Sequence, residues 1–246
     1  MLRNYDAANK TIDSALALDP TALELLAFKC KLAIDEKGDF SVAEKAFEAL
    51  KSVPMTNEQK LKTAGSRVDV FLLERKYKEG LQVAESLPDE QIGALHNEAL
   101  GGKYYYIGFA RKALQDDAGA RAAFLKAKTV VEEDLKRSSD APQVRIQLAK
   151  VLAYLGERDS ALAEAQRATE LLPESKDAFG GPEITEEVAH VHAVLGNNAR
   201  AIELLDGLLN RPSGITVPVL KLNPIWDPLR NDPGFQALLT KYGDKA

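Results

Sequence analysis

Two histidines are the residues of this chain that most resemble a reactive or metal-binding pair. His190 and His192 lie two positions apart in a segment with a helical pattern, where two positions correspond to a rotation of about 200°. Their imidazoles therefore point away from each other, and they cannot share a metal ion as a pair four positions apart can. The spacing predicts no metal centre.

Motifs that carry catalysis or cradle phosphate are absent from the sequence. It contains no glycine-rich loop followed by Lys-Ser/Thr, no His-Glu-x-x-His, no Gly-x-Ser-x-Gly and no kinase catalytic-loop pattern. The single cysteine, Cys30, is incompatible with an internal disulfide or a cysteine-based zinc site. The sequence therefore predicts a chain that is not an enzyme and that needs no cofactor.

Three consecutive tyrosines, residues 104–106, are followed by Phe109 and Lys112. Adjacent side chains on a helix are about 100° apart, so the three rings cannot all face one neighbour and some must reach a second surface. Tyrosine suits a binding surface, because it buries a large area at low rotamer cost and keeps a polar tip. The alternative is closer packing of the same rings against a neighbouring helix.

The elements that must position these residues are indicated by a recurring phrase of small and bulky apolar residues. It returns six times at intervals of 35 to 41 residues. Its first small position is occupied by Ala8, Ala43, Gly80, Ala120, Ala161 and Ala201. Small residues at regular intervals allow helical hairpins to stack closely, and a period of this length is typical of helical repeats. The pattern predicts an all-α solenoid of about six stacked helix-turn-helix hairpins.

Apolar residues at three-and-four spacing predict the individual helices. The predicted ranges are 5–18, 22–36, 40–51, 57–75, 77–87, 90–115, 117–137, 142–155, 159–172, 182–195 and 199–210. Gly38, Gly156 and Gly196 are expected to adopt a left-handed conformation that ends the preceding helix. The pair Gly101-Gly102 predicts a kink or an extra turn within 90–115.

The pattern changes after residue 212. Residues 215–222 read as an apolar extended run, whereas Asp227-Pro228 and Asp232-Pro233 each read as an N-cap followed by proline at the first helical position. Two short helices are therefore predicted, and their apolar side should cover the last hairpin. That side comprises Trp226, Leu229, Phe235, Leu238 and Leu239. The chain accordingly divides into a repeat array, 1–212, and an extended segment with C-terminal capping helices, 213–246.

Composition narrows the choice of partners. The formal net charge is −5 and the pI about 5.4, so a phosphate backbone would be repelled on average, and direct nucleic-acid binding is not predicted. The sequence has no run of about 18 apolar residues and predicts no direct membrane insertion.

Cytoplasm is the default expectation for localisation, and an extracytoplasmic location is expected instead if a membrane helix lies upstream. Because residues 5–18 read as the second helix of a hairpin, we expect the chain to be the C-terminal part of a longer polypeptide.

These phrases resemble the tetratricopeptide repeat, a helix-turn-helix unit of about 34 residues, over essentially the whole chain. Residues 5–20 and 149–173 carry the resemblance best, and Tyr104, Ile107 and Gly108 stand where the family has Trp, Leu and Gly. The resemblance implies a right-handed α-solenoid whose first helices line a concave wall. The pattern departs from the family at Asp117, which occupies an aromatic site, and in its longer spacings, which argue against uniform curvature.

Alignment with the family's repeat implies which residues lie on that wall, where a peptide or a partner helix would bind. They are Phe28, Tyr105, Tyr106, Phe109, Lys112, Ile146 and Lys150. The resemblance thus implies a non-catalytic protein–protein interaction module whose partner is a protein or a peptide.

The tail adds a narrower resemblance. Residues 223–235 look like the end of repeat arrays in multidomain bacterial signalling proteins. In those proteins the array follows a serine/threonine protein kinase, a winged-helix regulator or a nucleotide cyclase. Two alternatives therefore stay open beside partner binding: the array regulates such an effector by packing on it within one polypeptide, or it self-associates through its first helix.

Overall fold

The chain folds into helices throughout the part that the structure describes. The computed structural model describes residues 4–87, 102–211 and 213–243, apart from the side chains of Asn57, Glu58 and Leu61. Within these ranges there are thirteen α-helices, one 3₁₀ helix and no strand. The α-helices are α1 (Tyr5–Leu16), α2 (Leu23–Lys37), α3 (Ser41–Leu50), α4 (Asn57–Leu73), α5 (Tyr77–Ser86), α6 (Gly102–Ala113), α7 (Asp117–Arg137), α8 (Pro142–Leu155), α9 (Arg158–Leu171), α10 (Gly180–Val194), α11 (Asn198–Leu209), α12 (Val217–Leu222) and α13 (Pro233–Gly243). The 3₁₀ helix spans Pro224–Leu229.

The all-α prediction is confirmed, and the helix bounds from α1 to α11 follow the predicted ranges closely. The exception is 90–115, of which α6 is the described part; its predicted start and the kink at Gly101-Gly102 lie outside the described residues. No helix in the described ranges is both long and apolar enough to cross a membrane.

The turns between paired helices depend on left-handed residues, as predicted. Gly38, Gly156 and Gly196 have φ of 67°, 80° and 74°. Arg75 and Gln115 follow α4 and α6 in the same conformation, with φ of 60° and 65°. A side chain at such a position costs about 1–2 kcal/mol relative to glycine, so these two turns retain strain that the three glycine turns avoid.

From α1 to α11 each helix packs against the next one along the chain, and α2 also touches α4, as α8 touches α10. The small residues of the recurring phrase lie in these contacts: Ala43, Ala161 and Ala201 have no exposed surface, and Gly80 is buried. Their burial explains why the phrase needs small residues, since a larger side chain would hold the helices apart. α1 is different, because none of its described residues is buried.

Gly108 marks the closest approach between two helices. A Cβ at this position would lie 2.8 Å from the ring of Phe124, and that ring is almost wholly buried. The position that resembles the family's glycine is therefore set by packing between α6 and α7.

The extended run predicted for 215–222 is wrong, because residues 217–222 form α12. The Thr216 hydroxyl oxygen accepts a hydrogen bond from the Val219 amide at 3.3 Å, which caps the helix, and Pro218 lies in its first turn. Proline is compatible with a first turn because no amide donor is lost there. Val217 and Leu220, three positions apart, are both buried. A short helix can present the same apolar residues to the core as a strand would.

The start signal at Asp227-Pro228 is also wrong. The 3₁₀ helix begins at Pro224, where the Asn223 side chain accepts from the Ile225 amide at 3.1 Å, and Pro228 lies inside it. The second signal is correct: α13 begins at Pro233, and Asp232 accepts from the Gly234 amide at 2.9 Å. The five predicted capping residues are buried in one cluster with Leu205 and Leu208 of α11.

Candidate functional site

The structure divides the residues predicted to bind a partner into a buried and an exposed group. Tyr105 and Phe109 of α6 are each 8% exposed, and Ile146 of α8 is 4% exposed. Tyr106 is half-buried, and the Lys150 side chain retains 12% of its exposed area. The buried rings pack closely against neighbouring helices, which is the alternative that the three tyrosines left open.

Phe28 and Lys112 form the exposed group. Phe28 of α2 is 56% exposed, which is unusual for so large an apolar side chain. Lys112, near the end of α6, is also exposed. Of the predicted residues, these two present the most surface to a partner.

Aromatic rings run through the centre of the described structure and join five elements. The Phe124 and Tyr154 rings are stacked with centroids 4.8 Å apart, and Tyr105 meets both rings edge to face. His190 continues the series, 5.8 Å from Tyr154 and 6.0 Å from Trp226. We call this set the aromatic column, and it comprises Tyr105, Phe109, Phe124, Tyr154, His190 and Trp226. Contacts of this kind contribute about 0.5–1.5 kcal/mol per pair beyond burial, so the column ties α6, α7, α8, α10 and the 3₁₀ helix together.

His190 is buried and held through both ring nitrogens. Its Nε2 lies 3.0 Å from the Tyr154 hydroxyl, and its Nδ1 lies 3.6 Å from a carboxylate oxygen of Glu187. Burial is the main reason that the pKa of His190 is lowered, although Glu187 acts in the opposite direction. The ring is therefore neutral at pH 7. The carboxylate favours the tautomer with the proton on Nδ1, so Nε2 accepts from the Tyr154 hydroxyl.

Glu187 and Lys150 form the charged part of this arrangement. Lys150 Nζ lies 3.0 Å from a Glu187 oxygen and 5.1 Å from the centre of the Tyr105 ring. Burial acts to raise the pKa of Glu187, but Lys150 and His190 outweigh it and lower the pKa to about 2. The Glu187 side chain still retains 35% of its exposed area. Water therefore reaches part of the Glu187 side chain, which does not lie in a dry core.

The next residue, Glu186, titrates in the opposite direction. Burial and the neighbouring Glu187 raise its pKa to about 8, and Lys31 only partly compensates. Asp35 and Glu183 contribute further negative charge around it. Lys31 and Asp35 belong to α2, so charges of α2 act on a carboxyl group of α10 although about 150 residues separate the two helices in sequence.

Lys150, Glu187, His190 and Tyr154 interact with one another, and this arrangement ties α8 to α10. Among the described residues, no three His, Cys, Asp or Glu side chains converge as a metal site would require. The exposed parts of Lys31, Glu183 and Glu187 leave this part of the surface charged where water reaches it.

The C-terminal part of the chain lies against helices at the opposite end of the sequence. Residues 216–230, which we call the return segment, contact α2 through α12 and α10 through the 3₁₀ helix. Val219 packs on a buried cluster that includes Cys30, Ile34 and Val70. A Cβ on Gly38 would lie 2.7 Å from Leu222, so Leu222 occupies the space that this glycine leaves.

An ion pair accompanies these apolar contacts. Two nitrogens of Arg75 each lie 2.7 Å from an oxygen of Asp227, and Arg230 lies 2.5 Å from the same carboxylate. Burial acts to raise the pKa of Asp227, but the two arginines outweigh it and lower the pKa.

The return segment and its ion pair were not anticipated from the sequence. Asp227 precedes a proline and was interpreted as a helix cap, which is the commonest local role for that dipeptide. The only local signal was Arg75, a residue with a long side chain in a turn where glycine is preferred.

Comparison with known proteins leaves the family unassigned. No protein-family model matches the chain, and no curated protein matches it.

Proposed function

We propose that the chain is a non-catalytic protein-interaction module of tetratricopeptide type, a right-handed α-solenoid of about six hairpins ended by helical caps. Two observations support this arrangement: each helix from α1 to α11 packs on its successor, and the small residues of the recurring phrase are buried. Lys31, Lys112, Lys150, Glu183 and Glu187 belong to the first helices of the hairpins and would line the concave face.

One observation carries the proposal that this face binds protein. The chain's own helix α12 is already seated on α2, where Val219 packs on a cluster that includes Cys30, Ile34 and Val70. Helix α2 thus accommodates a short helix by aliphatic contacts and carries the charged residues Lys31 and Asp35 as well. A peptide or a partner helix needs the same combination, which is common in helix-in-groove recognition.

Binding can be tested with peptides selected from a random displayed library. We expect selected peptides to lose about tenfold or more in affinity, roughly 1.4 kcal/mol, for Phe28→Ala or Lys112→Ala, since both side chains are exposed on the proposed face. Leu125→Ala is the matched control, because Leu125 is an exposed apolar residue on α7. Isothermal titration calorimetry measures the affinities. Equal losses for the control, or none for the two test variants, would remove the face from consideration.

Self-association is a second candidate function, and the exposed N-terminal helices favour it. None of the described residues of α1 is buried, Leu18 is 90% exposed, and Phe28 lies close behind in sequence. Exposed apolar residues of this kind mark surfaces that associate. Light scattering after size-exclusion chromatography, repeated over a range of concentrations, distinguishes the two: Leu18→Glu should abolish a dimer, whereas a monomer at every concentration refutes self-association.

A further inference from the structure

The return segment is attached unequally to its two sides. Val217, Leu220, Trp226 and Leu229 are buried in the cluster that includes α11 and α13. In contrast, the residues that reach α2 and α4 remain partly exposed; they are Val219, Leu222 and Ile225. Of these, Val219 and Ile225 also pack against the α11 and α13 cluster. The free energy of burial grows with the apolar area removed from water. Separation would therefore occur on the side of α2 and α4, and the segment would stay with α11 and α13.

The ion pair on that weaker side can open without stranding a buried charge. The side chains of Arg75 and Asp227 are 43% and 39% exposed, and ion pairs of this exposure are weak and screened by salt. Asp227 would keep its bond to Arg230 after separation, and Arg75 would be solvated. The penalty for breaking a buried ion pair therefore does not apply here.

The surface under the return segment has a defined chemistry. It offers an apolar floor of Cys30, Ile34 and Val70, a space at Gly38 for one branched side chain, and the guanidinium of Arg75 at its edge. Val219 and Leu222 fill the floor and the space from positions three apart, and Asp227 supplies the carboxylate. An amphipathic helical peptide with two aliphatic residues three positions apart, followed by a carboxylate, matches each feature.

We propose that the return segment is an intramolecular ligand that closes this surface, and that an amphipathic helical peptide of the same pattern binds there by displacing it. The inference rests on the proposed function and specifies where the partner binds and what it must displace. The chain would then exist in a closed state, with the segment seated on α2, and an open state that the partner selects.

The test uses a labelled synthetic peptide that spans residues 216–230 and carries Lys221→Arg, so that its fragments differ in mass from those of the protein. The wild-type protein should bind it weakly, because the segment competes in cis at a high effective concentration. Leu222→Ser and Asp227→Ala weaken the cis contact and should raise the affinity for the peptide by about tenfold or more. Fluorescence anisotropy measures binding, and circular dichroism checks that the variants fold.

A charge exchange locates the peptide at Arg75. When Arg75→Glu is added to Leu222→Ser, it should abolish the gain in affinity that Leu222→Ser produces, and a peptide with Asp227→Arg should restore that gain. Arg121→Glu, at an exposed position of α7, serves as a matched charge reversal and should have no such pairing with the exchanged peptide. Restoration by the exchanged peptide is specific to contact between these two positions.

Hydrogen exchange shows whether displacement occurs. When the peptide saturates the protein, the amides of α12 should exchange faster while those of α2 stay protected. Unchanged protection of α12 at saturation, or equal affinity of wild type, Leu222→Ser and Asp227→Ala for the peptide, would overturn the inference. If library-selected peptides still depend on Phe28 and Lys112 in that case, the proposed function survives and only the intramolecular ligand is refuted.

Discussion

His190 Nε2 lies 3.0 Å from the hydroxyl oxygen of Tyr154, and the imidazole stands between the rings of Tyr154 and Trp226. This relationship joins α8, α10 and the 3₁₀ helix, through residues that follow one another at intervals of 36 positions. It places a hydrogen bond inside the aromatic column, where water does not replace it.

Removal of that hydroxyl should destabilise the protein. Tyr154→Phe keeps the stacked ring but leaves Nε2 of a buried histidine without its donor, and we expect a loss of about 1–3 kcal/mol. Urea denaturation followed by circular dichroism measures the free energy of unfolding. An unchanged midpoint would show that the hydrogen bond contributes nothing.

Glu186 should make stability depend on pH. Because its pKa is raised to about 8 in the folded protein from an ordinary value of 4.5, the folded state keeps a proton that the unfolded state loses between those values. Its contribution to stability therefore falls as the pH rises from about 4.5 to 8. Glu186→Gln removes this loss, so the gain in Tm over wild type should be larger at pH 8 than at pH 5.

Thermal melts across that pH range provide the measurement. Glu203→Gln is the control for removal of a carboxylate, since Glu203 is exposed on α11. A gain for Glu186→Gln that does not grow with pH would contradict the raised pKa of this carboxyl group.

Two glycines in helices should respond in opposite directions to the same substitution. Gly108→Ala places a Cβ 2.8 Å from the ring of Phe124, which is fixed by its stacking on Tyr154, and should destabilise by about 1–3 kcal/mol. Gly65→Ala in α4 meets no atom within 4 Å and should stabilise by up to about 1 kcal/mol. Denaturation midpoints decide the signs, and a stable Gly108→Ala would show that α6 and α7 are not in close contact.

The left-handed residues Arg75 and Gln115 allow the ion pair to be measured. Glycine relieves the backbone strain at either position, so Gln115→Gly should stabilise by about 1 kcal/mol. Arg75→Gly gains the same relief but loses both bonds to Asp227 and should stabilise less. The difference between the two variants should shrink as salt rises from 0.05 M to about 1 M. A difference that is independent of salt would indicate that the ion pair is not its cause.

Much of the local structure could be predicted from the sequence, because the signals for it are short-range. Apolar spacing and the left-handed glycines set the helices from α1 to α11, and Asp232-Pro233 set the start of α13. Asp227-Pro228 carried the same local signal, but here the carboxylate binds Arg75 and Arg230 instead of capping a helix. A local pattern cannot show which distant partner competes for the same side chain.

The candidate site was less predictable for the same reason. Tyr105, Phe109 and Ile146 were assigned to an exposed wall by analogy with the repeat, whereas the structure buries them; their role in partner binding stays a prediction. Tyr105 packs on Phe124 of α7, and Phe109 packs on Tyr154 of the following hairpin. Ile146 is buried in a cluster that includes Val131 of α7. Phe28 and Lys112 have no such neighbour covering them in the described structure and remain exposed.

The sequence by itself determined where the helices form, because propensity, apolar period and turn residues act over a few positions and do not need the rest of the chain. Only the tertiary structure decided that α12 lies on α2, that Asp227 meets Arg75 and that charges of α2 act on Glu186. Those interactions join residues about 150 to 190 positions apart. Their free energy exists only after the helices have packed and brought the two surfaces together.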